Sequence, residues 1–109
     1  MNHQRQKIYP SKCSLKSFGV VSAYAANTHN GIARPYNEDR ISIVLDMKKH
    51  HGTPKATPLQ DKKVSFFAIF DGHGGTGCPE FLRDHLHQFV SSSEHFPQNP
   101  EQALRQGCL

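Results

Sequence analysis

Two short stretches of this chain carry side chains suited to chemistry on a phosphate ester. In the first, Asp71-Gly72-His73-Gly74-Gly75 follows an apolar run (Val64, Phe66, Phe67, Ala68, Ile69, Phe70) and precedes a helical pattern. A carboxylate at the end of a buried strand is held by a rigid element. Glycines let backbone groups approach an ion, and the start of a following helix favours anions. His73 can give up a proton near neutral pH. An isolated Asp-Gly is ordinary turn chemistry, but three glycines interleaved with Asp and His exceed what a plain turn requires.

The second stretch is Arg34-Pro35-Tyr36-Asn37-Glu38-Asp39-Arg40. Adjacent carboxylates repel each other unless a cation lies beside them. Hard oxygen ligands of this kind suit Mg²⁺ or Mn²⁺ rather than zinc. The planar fork of Arg34 matches two phosphate oxygens. Alone, such mixed charge before a strand reads as a solvated turn. Beside the first stretch it completes the parts needed for metal-assisted hydrolysis of a phosphate ester.

These groups need elements to hold them. Residues 1–17 are polar without apolar periodicity and read as a flexible lead-in, so residues 18–109 carry the expected order. Residues 18–26 place Phe18, Val20 and Tyr24 on one face and Val21, Ala23 and Ala25 on the other, the pattern of a strand covered on both sides. Residues 27–37 read as a connection, with the Asn30-Gly31 turn signal and Pro35. A strand is predicted over residues 40–46, where Ile41, Ile43 and Leu45 alternate with Ser42 and Val44. Residues 47–63, with Gly52, Pro54, Pro58 and many lysines, read as a surface loop. The apolar run of residues 64–70 predicts a central strand buried on both faces.

After the glycines, Phe81, Leu82, Leu86, Phe89 and Val90 recur at helical spacing to about Ser91, with Pro79 tolerated in the first turn. A second helix opens at Asn99-Pro100-Glu101-Gln102, where Asn caps and Pro begins the first turn, and meets Gly107 after barely two turns.

Composition narrows the alternatives. The 109 residues fit one small domain; 36% are hydrophobic and 20% charged, which is lean but globular. The net charge of +4 comes from scattered Lys and Arg, without the dense basic stripe of a nucleic-acid surface. Cys13, Cys78 and Cys108 form neither a zinc pattern nor a disulfide framework. Cys78, at a helix start, could be a reactive thiolate, but no resolving partner is apparent. His85 and His87 stand two apart on a helix, do not share a face as a zinc pair would, and read as surface residues; His50-His51 make no ligand pattern. No secretory leader, myristoylation glycine or membrane-spanning run is visible, so the expectation is a soluble intracellular protein of the cytoplasm or nucleus with no membrane partner.

The segments Arg-Pro-Tyr-Asn-Glu-Asp-Arg and Phe-Phe-Ala-Ile-Phe-Asp-Gly-His-Gly-Gly resemble the first two signatures of the type 2C, or PPM, metal-dependent protein serine/threonine phosphatases. The second segment is the more specific, and the likeness covers roughly residues 18–104. The resemblance implies an α+β fold, the four-layer α-β-β-α sandwich of two antiparallel sheets, here partial and truncated after the first long helix.

By the same resemblance, Asp71 bridges two Mg²⁺ or Mn²⁺ ions, Glu38 ligates one, the carbonyl of Gly72 the other, and Asp39 assists through water. Arg34 would hold the phosphate of a phosphorylated protein substrate, and His73 would protonate the leaving serine or threonine oxygen as a water activated between the ions attacks phosphorus. Later aspartates of the family site do not occur in this sequence, so weak or absent turnover by this chain is expected. The alternative is a non-catalytic fragment that keeps a metal- or phosphate-binding surface for interaction.

Overall fold

The computed structural model describes residues 11–48 and 63–109. Most of the expected lead-in, and most of the expected loop with His50 and His51, therefore lie outside the described residues. Six elements follow in order: β1 (Lys12–Cys13), β2 (Ala25–Ala26), β3 (Arg40–Val44), β4 (Phe66–Phe70), α1 (Gly77–Ser91) and α2 (Pro100–Gly107). The result is a small mixed α/β fold with two short antiparallel sheets, β1-β2 and β3-β4, and two helices.

The β3-β4 ladder pairs Arg40 with Phe70, Ser42 with Ala68 and Val44 with Phe66. Directly opposite residues of an antiparallel pair share a face, so these pairs form one side of the sheet. Ile41-Ile69 and Ile43-Phe67 form the other. β3 stops two residues short of the expected strand. The two chains stay in contact beyond it, as the Met47 N–H donates to the Val64 carbonyl at 2.8 Å and the Ser65 hydroxyl to the Leu45 carbonyl at 2.8 Å.

The helices cover only the first of these faces. Leu82, Leu86 and Val90, one turn apart along α1, meet Phe66, Ala68, Phe70 and Val44, and Met47, Phe96 and Ala103 close the same core. β4 is thus buried on one face, not on both as its apolar run suggests, and Ile69 is 77% exposed on the other. The reason is topological: among the described residues β4 has one neighbour in its sheet and the helices pack on one side of it, while on the other side Tyr24 sets its ring edge to Phe67 at 5.8 Å between centroids.

The expected strand over residues 18–26 is not continuous. Phe18 and Val21 exchange backbone hydrogen bonds of 2.8 and 2.9 Å across a tight turn, with Gly19 at φ +57°. That left-handed conformation ends an extended run and turns Val20 out to solvent. Only Ala25–Ala26 remains as strand, and it pairs with Lys12–Cys13, a strand inside the segment that sequence reads as lead-in.

Both helices begin near where their sequence signals lie. α1 starts after Thr76, with Pro79 buried in its first turn. In α2 the Asn99 side chain accepts the Gln102 N–H at 3.3 Å and Pro100 opens the first turn. Gly107, expected to end α2, is its last residue and lies against α1: an added Cβ there would come within 2.8 Å of Val90 Cγ2 and 3.1 Å of the Val90 nitrogen.

Candidate functional site

Because Arg40 pairs with Phe70, each strand extended by one residue sets Asp39 beside Asp71, and by two sets Glu38 beside Gly72. The antiparallel register thereby draws the two acidic stretches, some thirty residues apart in sequence, to the same end of one sheet. Gly72 shows how closely they meet. A Cβ at this buried residue would lie 2.2 Å from the carbonyl oxygen of Glu38 and 2.8 Å from Pro79 Cγ, so the backbones touch where no side chain fits. The Gly72 N–H donates to Asp39 Oδ1 at 3.3 Å, tying the junction from the other side.

Around this junction lies an open depression of about 200 Å³, lined by Arg34, Glu38, Asp39, Asp71 and Gly72, with His29, Asn30, Tyr36 and Asn37. Its floor is ordered by local hydrogen bonds. Asn37 Oδ1 accepts the Asp39 N–H at 3.0 Å, and Asn37 Nδ2 donates to Thr28 Oγ1 at 2.6 Å. Asn30 Nδ2 donates to the Arg34 carbonyl at 2.7 Å, and His29 Nδ1 accepts the Gly31 N–H at 2.8 Å. Gly31 and the two glycines after His73, Gly74 and Gly75, have φ of +76°, +75° and +131°, values that bulkier residues adopt rarely.

Of the six residues singled out in the sequence, five line this depression and His73 does not. His73 is exposed on the turn between β4 and α1, beside the cleft in sequence but outside its lining. Arg34 and Asp71 are solvent-facing; Glu38 and Asp39 are half-buried.

The carboxylates suit a hard divalent ion in kind. Among the described residues, however, no three His, Cys, Asp or Glu side chains converge on one point as a metal cluster. Mg²⁺ is often held by one or two carboxylates with water filling the remaining positions, and the residues present fit such a partial set in chemical kind.

Tyr36 and Asn37 stand in the second stretch without a role assigned from sequence, Asn30 reads there only as a turn signal, and His29 is not singled out; all four line the depression. Asn37 carried a signal, since Asn commonly bonds backbone two residues on, as it does here to Asp39. Nothing in the local sequence marks His29.

Outside the cleft, His85 and His87 prove half-buried rather than surface residues. His85 lies 4.6 Å from the Phe81 ring and His87 6.3 Å from that of Phe66, on different sides of α1. Cys13, Cys78 and Cys108 are free and exposed. Arg83, on the first turns of α1, donates to Asp84 at 3.0 Å; this hydrogen bond holds the Asp84 carboxyl below, and the Arg83 guanidinium above, its ordinary range. No helix among the described residues is long and apolar enough to cross a membrane.

Two acidic strand ends thus meet at a glycine, with an arginine on the rim of the same depression. Residues 34–109 match the family Protein phosphatase 2C (PP2C), and the chain belongs to that family. It is similar to a probable protein phosphatase 2C 54 of Oryza sativa subsp. japonica, with 32% identity over 70% of this chain and 20% of the relative. It is also similar to a protein phosphatase 2C homolog 2 of Aspergillus fumigatus, with 39% identity over 66% of this chain and 17% of the relative. The chain thus spans about a fifth of the length of these curated relatives. No solved structure gives a significant match.

Proposed function

We propose that this chain carries the first part of a metal-dependent protein serine/threonine phosphatase centre, which hydrolyses phosphoserine or phosphothreonine in a protein substrate by way of an activated water. The observation that carries the reading is the Gly72-Glu38 backbone contact, since it gathers Asp71, Glu38 and Asp39 at one cleft with Arg34.

Asp71, Glu38 and the Gly72 carbonyl would hold Mg²⁺ or Mn²⁺, with Asp39 assisting through water. Two such ions, when bound, lower the pKa of water and neutralise charge on the phosphoryl group. The residues contribute the rest. Arg34, whose carbonyl is fixed by Asn30, would receive two phosphate oxygens in its planar fork. Asp39, already committed through one oxygen to the Gly72 amide, keeps the β4 end in place and has its second oxygen for a water. His73, exposed at the glycine turn, would supply the proton to the leaving serine or threonine oxygen. In the same reading β3-β4 is one sheet of the larger α-β-β-α sandwich. The apolar face formed by Ile41, Ile43, Phe67 and Ile69 supports this, as such a face suits a second sheet.

The absence of a three-ligand cluster among the described residues favours a second reading, in which the chain binds a divalent ion or phosphate without turnover. One experiment separates them. Hydrolysis of a phosphothreonine peptide is followed with Mn²⁺, with a chelator, and in Asp71→Ala, alongside calorimetric Mn²⁺ titration. Weak chelator-sensitive turnover that Asp71→Ala abolishes supports the catalytic reading. Mn²⁺ binding with no turnover supports the second, and neither binding nor turnover overturns both.

A further inference from the structure

We infer that Arg40 is a positioning residue for the Glu38-Asp39 carboxylates, and that Glu80 of α1 anchors it. Its Nη1 donates to the carbonyls of Asn37, at 2.6 Å, and Asp39, at 2.8 Å, gripping the chain on both sides of Glu38. Its Nη2 donates to Glu80 Oε1 at 3.2 Å, a residue in the first turn of α1. One half-buried guanidinium therefore ties the cleft loop, the start of β3 and the helix that follows the Asp71 turn.

The geometry uses what is particular to arginine. Three acceptors from two segments are met by one planar, permanently charged group; an ammonium on a flexible stem offers a single nitrogen and no fork. Hydrogen bonds to a charged donor are stronger than neutral ones. With both flanking carbonyls held, Glu38 has little freedom to rotate its backbone, and the Asp39 side chain is kept where it accepts the Gly72 N–H. Arg40 touches neither ion nor substrate in this account, so its effect is on how well the carboxylates are held. Groups that orient metal ligands commonly change affinity by about 10- to 100-fold when removed.

This inference rests on the proposed function for its consequence on metal affinity, but not for the positioning itself, and the two are tested separately. Amide exchange by NMR is measured in the wild-type chain, Arg40→Ala, Arg40→Lys and, as a control for general loss of stability, Leu82→Ala in the core. Arg40→Ala should speed exchange at Asp39 and Gly72 by about tenfold or more relative to Ala103 in α2, Arg40→Lys should not restore it, and Leu82→Ala should not reproduce the selectivity. Equal protection of Asp39 and Gly72 in wild type and Arg40→Ala overturns the inference, as does full rescue by lysine. Mn²⁺ calorimetry on the same proteins should show weakening by about 10- to 100-fold in Arg40→Ala. Failure of the wild type to bind Mn²⁺ overturns the metal reading, while the exchange data still decide the role of Arg40.

Discussion

At the scale of single residues, Gly72 carries the most consequence. Its absent side chain is a condition of the contact with Glu38, because the atom a Cβ would strike is backbone and cannot swing aside. Gly72→Ala should therefore lower stability by about 1–3 kcal/mol, as overpacked sites do, and weaken Mn²⁺ binding by parting Asp71 from Glu38. Chemical denaturation and calorimetry check the two effects, and a fully stable variant with intact binding would refute the contact.

The Arg83-Asp84 pair is a contrasting case. The fold favours the ionised form of Asp84, so the pair contributes above the ordinary carboxylate range, and that contribution is lost as pH falls through the lowered value. Both groups face solvent, where such pairs add little. Asp84→Asn should accordingly melt close to wild type at neutral and at acid pH.

At the scale of elements, the join between helices offers a direct test. Val90 is buried and Gly107 rests on it, so Gly107→Ala should force α2 away from α1 and cost about 1–3 kcal/mol, read from denaturant midpoints.

Elements were legible in the sequence in proportion to how local their determinants are. α2 declares itself through Asn99 and Pro100, which act within one turn, and α1 through Leu82, Leu86 and Val90 at four-residue spacing. β3 and β4 announce themselves by β-branched and aromatic residues, yet how many faces β4 buries depends on its neighbours, which no window of residues states. The segment over residues 18–26 misleads because its apolar residues suit a strand while Gly19 takes a left-handed turn. The same contrast holds at the site: Asp71, Glu38 and Asp39 are visible as residue types, whereas the Arg40-Glu80 tie spans forty residues and has no local signature.

For the whole molecule, the balance is between a small core and an open sheet. Among the described residues the buried apolar core comprises only Met47, Phe66, Leu86, Val90, Phe96 and Ala103. Loss of one large member should therefore be decisive: Phe96→Ala should cost about 3–5 kcal/mol, enough to unfold a domain of this size, as circular dichroism would show. The opposite sheet face exposes Ile69 and Phe67, and an exposed apolar patch of this kind binds hydrophobic dyes and promotes association. Ile69→Lys should reduce both with little change in melting temperature.

Whether the two sequence-distant acidic stretches act as one divalent-metal site is decided by calorimetric titration of Mn²⁺ into the wild-type chain and into Asp71→Asn. Asp71→Asn keeps the size of the side chain and removes its charge. A shared site should give binding to the wild type and a loss of about tenfold or more in the variant, with the fold intact by circular dichroism. Equal Mn²⁺ affinity in the two proteins, or no binding by either, would contradict it.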